Sequence, residues 1–213
     1  MVDLDVLEVL HALGVRVVGP VWSRPNRFAH GVPFAFPGSP DVGPGLTEAG
    51  REFVSACDAL GIVMDVSHLN EAGFWEILRR GERPVVASHS AAHVLCPSPR
   101  NLTDAQLDAL AERDGLVGLV CAVKFLREDG GDDPNMPLDT WVRHAEHLLG
   151  RLGEDRVGIG SDFDGTTVPT ALGDVAGSTR LLAALREHVW NEALIRKLAY
   201  GNWLALLRRT QRS

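Results

Sequence analysis

Cysteine is scarce in this 213-residue chain. Its three residues, Cys57, Cys96 and Cys121, are odd in number and lack the paired spacing of a thiolate metal site. That argues against a disulfide scaffold and for buried, inert thiols in a reducing compartment. No apolar run approaches the roughly 20 residues of a membrane span. The opening Met-Val-Asp-Leu-Asp has neither the basic nor the apolar stretch of a secretion signal. The expectation is a soluble cytoplasmic protein without a membrane partner. Clustered positive charge is missing too. The formal net charge is -7, and only Arg208, Arg209 and Arg212 form a local basic group, which reads as a solvated helix end. Nucleic acid, whose binding rests on grouped Lys and Arg, is therefore not an expected partner.

What is present is enough apolar material, 45% of residues, for one domain over 1–213 with a sizeable core. Helical stretches alternate with short apolar runs, the pattern of βα units and a parallel sheet. Five strands are expected: Val15 to Val21, Ile62 to Val66, Val85 to Ala87, Leu116 to Ala122 and Arg156 to Gly160. None alternates strictly with polar residues, as strands covered on both faces do not.

The helices carry start and stop signals. Asp3 or Asp5 opens Val6 to Leu13. Thr47 opens the run to Leu60, stopped by Gly61, and Asn70 caps Glu71 to Arg80. A Thr103/Gln106 capping box begins the helix that ends near Gly115. Leu138 to Leu152 ends at Gly153, and Thr179 to His188, Glu192 to Leu198 and Trp203 to Arg209 close the chain. Between the first strand and Thr47, residues 20–45 hold six prolines, four glycines and no period. A segment this long in a compact domain is usually functional or disordered. With Trp22, Phe28, Phe34 and Phe36 in it, an ordered loop over a pocket at the rim is expected.

Two strand ends carry the chemistry. Asp65-Val66-Ser67-His68 and Ala87-Ser88-His89-Ser90 each close an apolar run and lie one strand-plus-helix unit apart. Neighbouring strands are about 4.8 Å apart, so imidazoles at two adjacent C-terminal ends can converge on one ion. If Val85 and Ala87 share a face with His89, that imidazole points where interior side chains meet. The run from Arg156 brings Asp162 to the same rim, with Gly158 and Gly160 in its parity leaving room for a metal and its water. Metal-assisted hydrolysis is the chemistry such a set serves. Arg100, on the Cys96-Pro97-Ser98-Pro99-Arg100 loop, is placed to grip a substrate carboxylate bidentately. Of the other histidines, His144 and His147 flank Arg143 and Glu146 on what reads as a wet face, and His11, His93 and His188 are poorer candidates. His30 lies in the rim loop, within reach of substrate.

Taken together, Gly45-Leu46-Thr47-Glu48-Ala49-Gly50, Asp65 to His68, Ala87 to Ser90, Cys96 to Thr103, Val157 to Gly165 and Gly201-Asn202-Trp203-Leu204 resemble the membrane dipeptidase family of zinc peptidases, in its bacterial cytoplasmic branch. The resemblance implies an α/β fold, a TIM-type (β/α)8 barrel represented by about its last five units. It implies His68 and His89 as ligands of one zinc of a two-zinc site, Arg100 as holder of the dipeptide carboxylate, and Asp162 as the proton partner of the attacking water. The implied reaction is hydrolysis of dipeptides, including those with D-residues. The family's upstream His-x-Asp and bridging Glu have no counterpart in this sequence, and Trp22 stands where many members place a substrate-binding His. The expectation is therefore at most one ion on this chain, and weak or no activity alone. A start codon further upstream or a complementing N-terminal segment on another chain would supply the rest, and a homodimer is a further expected assembly. Two alternatives accompany this reading: a catalytically inactive homologue serving as a binding or assembly module, and a metal-dependent amidohydrolase acting on a cyclic amide.

Overall fold

The computed structural model describes residues 4–188 and 190–211. Eight helices and five strands are distinguished there: α1 Asp5–Ala12, β1 Val17–Val18, α2 Glu48–Leu60, β2 Val63–Asp65, α3 Glu71–Arg80, β3 Val85–Ser90, α4 Asp104–Glu112, β4 Leu116–Leu119, α5 Leu138–Leu152, β5 Val157–Ile159, α6 Ser178–Glu187, α7 Glu192–Arg196 and α8 Asn202–Thr210. The strands form one sheet in the order β1-β2-β3-β4-β5, every pairing parallel. Each strand thus lies beside the next in sequence, as in successive βα units of a barrel wall.

Local chemistry sets the helix ends. Thr47 accepts from Gly50 N to start α2, which stops at Gly61 in the left-handed region (φ 74°). Asn70 accepts from Gly73 N at α3, and Thr103 and Gln106 form the reciprocal box of α4. The first helix differs from expectation: Leu4 precedes it without a side-chain hydrogen bond, and Asp5 is its first helical residue. Asp3 lies outside the described residues. At the far end, α7 and α8 are not separate but joined by a π-helical turn, Lys197–Gly201.

Strand lengths differ most at β1, where pairing covers only Val17 and Val18. Pro20 has no amide hydrogen for the ladder and ends it soon after. Beyond it, residues 19–47 hold no helix or strand. This segment is fastened to the mouth of the sheet: Val32 N donates to His68 O (2.9 Å) and Asn70 N to His30 O (3.1 Å).

Two cores flank the sheet. Helices α2 to α5 pack Phe53, Phe74, Leu107 and Trp141 with Met64, Val85, Ala87 and Val117. On the opposite face, Leu206 and Trp203 of α8 pack with Val17, Val63, Val86 and Leu116. Val85 and Ala87 therefore face the helices, contrary to the parity expected from His89. Pairing of β3 with β4 shifts register between Ala87 and Ser90, which breaks the alternation before the imidazole. Gly158 and Gly160 also do not leave room for an ion. A Cβ on Gly158 would lie 2.5 Å from the Trp203 indole nitrogen, and one on Gly160 would lie 2.0 Å from Ser88 O.

Candidate functional site

The rim of the sheet gathers three of the expected side chains. His68 follows β2, His89 belongs to β3, and their Nε2 atoms are 2.8 Å apart. Asp162 follows β5 with a left-handed backbone (φ 58°), a conformation Asp tolerates better than most residues. His68 and Asp162 line one cavity of ≈ 120 Å³ together with Trp22, Phe34, Lys124 and Phe125.

Each imidazole is oriented by a hydroxyl. Ser23 Oγ contacts His68 Nδ1 at 2.8 Å, and Ser88 Oγ contacts His89 Nδ1 at 2.7 Å. The second contact has a fixed direction. Ser88 gives its hydroxyl hydrogen to Asp65 Oδ2 (2.5 Å), so its oxygen accepts from His89 Nδ1–H and leaves Nε2 as an acceptor, facing His68 Nε2. Asp65 also accepts from Ser67 Oγ (2.7 Å), Ser67 N (3.0 Å) and Ser88 N (3.0 Å). Ser67 Oγ accepts in turn from His89 N. One half-buried carboxylate thereby locks both histidine-bearing turns together, as carboxylates behind metal-ligating histidines commonly do.

Electrostatics keep the pair neutral. Burial, then the Arg100 charge and the neighbouring imidazole, push His68 down to about 2. Burial and Arg100 also lower His89, against the opposing pull of Asp65 and Asp162. Neutral imidazole is the ligating form. Two such nitrogens fit one side of an ion's coordination shell. Among the described residues, however, no group of three His, Cys, Asp or Glu side chains is close enough to hold a metal, and catalytic zinc ordinarily takes three protein ligands. The donor set fits a metal in part.

Arg100 is not the projecting group that its loop implied. It is 2% exposed, with its guanidinium 5.3 Å from the Phe125 ring centre. Nη2 donates to His89 O (3.1 Å), while Nε and Nη1 have no protein partner. Burial lowers its pKa to about 10, so it stays charged at neutral pH. Two unpaired donors on a buried cation are costly unless something binds them.

The remaining histidines lie apart from the pair. His144 is buried rather than wet: Ala92 N donates to its Nδ1 (3.2 Å) and its Nε2 donates to Leu126 O (3.0 Å). His147 pairs with Asp104 at 2.7 Å. In the rim loop, His30 Nδ1 meets Gly45 O, and His93 meets Gly38 O. The three thiols are free and buried, each pushed up to about 12 chiefly by burial. Sequence reasoning missed Asp65, Ser67, Ser88 and Ser23 as members of the site. The hydroxyl directly preceding each ligand candidate, Ser67 before His68 and Ser88 before His89, was the available signal.

This chain is similar to several known proteins. An uncharacterised Klebsiella pneumoniae protein encoded in the pqqA 5′ region is 49% identical over 202 residues, 95% of this chain and 74% of that protein. A Rhodobacter sphaeroides metallopeptidase, solved with a phosphinate mimic of the dipeptide L-Ala-D-Ala, superposes with a TM-score of 0.95 at 55% identity. The alignment covers 98% of this chain and 59% of that one. A second solved structure, the metallopeptidase dipeptidase AC, gives a TM-score of 0.97 at 54% identity, over 99% of this chain and 61% of that one. The chain thus spans about three fifths of the length of these solved relatives, and its five parallel strands are part of a TIM-type α/β barrel. The family model of membrane dipeptidases, peptidase family M19, matches residues 1–213, and the chain belongs to that family.

Proposed function

We propose that this chain carries the substrate-gripping half of a zinc dipeptidase site, with His68 and His89 as ligands of one ion. The observation that carries the reading is the 2.8 Å approach of the two Nε2 atoms. Beside them are the unpaired donors of Arg100 and the Asp162 carboxylate. The dipeptide mimic bound by the Rhodobacter relative agrees with a substrate bearing a free carboxylate.

A metal held by His68 and His89 would polarise the scissile carbonyl and acidify the attacking water. The chain's own residues do the rest. Arg100 receives the substrate's α-carboxylate on Nε and Nη1, replacing a missing hydrogen-bond partner with a charge-assisted one. Asp162 takes a proton from the attacking water and passes it to the departing amine, a general base that becomes a general acid. Trp22, whose ring lies 5.7 Å from that of His68, and Phe34 shield the reacting atoms from bulk water. Water adds across the amide bond, giving one free carboxylic acid and one free amine.

The experiment loads the purified chain with zinc and measures bound metal, then hydrolysis of Ala–Ala, alone and with an N-terminal segment of a relative. Zinc retained by the wild type and lost in His68→Ala and His89→Ala is the expected result. No retained metal, and no rescue, overturns it. Arg100→Ala should lower kcat/KM for dipeptides by about 10- to 100-fold, the worth of a charge-assisted bidentate contact. It should spare neutral amides, and equal loss on both would favour an amidohydrolase for cyclic amides. A non-catalytic binding module is the second reading, favoured by the two-ligand donor set among the described residues. Dipeptide binding without turnover, even after rescue, would establish it.

A further inference from the structure

Lys124 lines the same cavity as His68 and Asp162, and nothing in the proposed chemistry uses it. It sits in the short turn Val123–Phe125 after β4. Its ammonium lies 4.9 Å from the Phe34 ring centre and 5.3 Å from that of Phe125. Among the described residues it makes no ion pair or hydrogen bond through that ammonium, although the chain carries 28 acidic against 21 basic residues. Aromatic faces hold a cation in place without neutralising it.

Arg100 lies against the same Phe125 ring, also at 5.3 Å, so the two cations are within about 11 Å of each other. Their spacing is fixed by Asn101, which donates both to Cys96 O (2.9 Å) in the Arg100 loop and to Phe125 O (2.8 Å) in the Lys124 turn. A residue with two carboxylates can bridge such a pair, its α-carboxylate on Arg100 and its side chain reaching toward Lys124.

We propose that Lys124 is a specificity-determining residue: a second carboxylate anchor that selects dipeptides with an aspartate or glutamate as their C-terminal residue. The inference rests on the dipeptidase reading above. Because Lys124 is only partly buried, the contact is screened by salt, and its preference weakens as ionic strength rises.

The test uses the zinc-loaded chain and two phosphinate dipeptide mimics that differ only in the C-terminal side chain, aspartate-like against asparagine-like, titrated calorimetrically. The acidic mimic should bind about tenfold more tightly, the scale of one well-placed charge pair. That ratio should fall toward one in Lys124→Gln, return in Lys124→Arg, and shrink in the wild type as salt is added. Equal binding of both mimics by the wild type, or a ratio that survives Lys124→Gln, overturns the role of Lys124 and leaves the dipeptidase reading intact. If neither mimic binds, with or without the N-terminal segment of a relative, both readings fall.

Discussion

A single proton at His89 decides what that imidazole can do. With Nδ1–H committed to Ser88 and the Ser88 hydrogen committed to Asp65, Nε2 has only its lone pair to offer. Ser88→Ala removes the relay without touching a ligand. Zinc affinity measured by chelator competition should drop about 10- to 100-fold, as it does when such supporting partners are lost. An unchanged affinity would mean that Asp65 merely ties the two turns together. His144 obeys different arithmetic. Its folded pKa is pushed down to about 4 by burial, against about 6.5 in the unfolded chain. The unfolded state takes up the proton first as pH falls. Stability is therefore full above about pH 6.5, declines between 6.5 and 4, and loses roughly 3 kcal/mol in total. Urea unfolding across that window should show this slope, reduced by one titrating group in His144→Gln. His68 and His89 were legible because each ends an apolar run at a strand tip. His144 was misread because its charged neighbours Arg143 and Glu146 drew attention from its place with Trp141, Ala145 and Leu148 on the buried stripe of α5.

Caps are where local chemistry and long-range structure meet in this molecule. Asn70 starts α3 and also donates to Val42 O, Gly43 O and Pro44 O, so one side chain both begins a helix and fastens the rim loop. Asn70→Ala gives up the cap, worth about 1 kcal/mol, and with it the side chain's bonds to the Val42, Gly43 and Pro44 carbonyls at further cost. A loss of about 2 to 3 kcal/mol in urea unfolding is expected, with faster proteolysis within residues 20–45. A loss near 1 kcal/mol without new cleavage would show that the loop is held by other contacts. Thr47, Asn70 and the Thr103/Gln106 box were readable from sequence because a cap needs only four residues. Strand ends were less so. The stop of β1 and the register shift in β3 depend on what the neighbouring strand offers, and Gly158 owes its missing side chain to Trp203, 45 positions later.

Across the whole molecule, the sheet has two outer strands, β1 and β5, each paired on one side only among the described residues. Unpaired edges invite further strands. Helix α1 adds exposed apolar side chains, Val6 and Val9 at 57% each and Leu13 just beyond its end at 77%, spaced i, i+3, i+7 along one side of a helix, and grouped exposed apolar residues mark contact surfaces. Sedimentation analysis should find this chain self-associating in a concentration-dependent way, and Val9→Lys with Leu13→Lys should shift it toward the monomer. A wild type that stays monomeric throughout would show that the edges are guarded by their own twist and short length. The packing of α8 beneath the sheet has a temporal meaning as well. Val17, Val63, Val86 and Leu116 leave the ribosome long before Trp203 and Leu206, the residues that cover them. During synthesis that face stays wet until α8 emerges, so a premature stop that removes α8 would leave the histidine pair intact in the polypeptide yet deprive its strands of their floor.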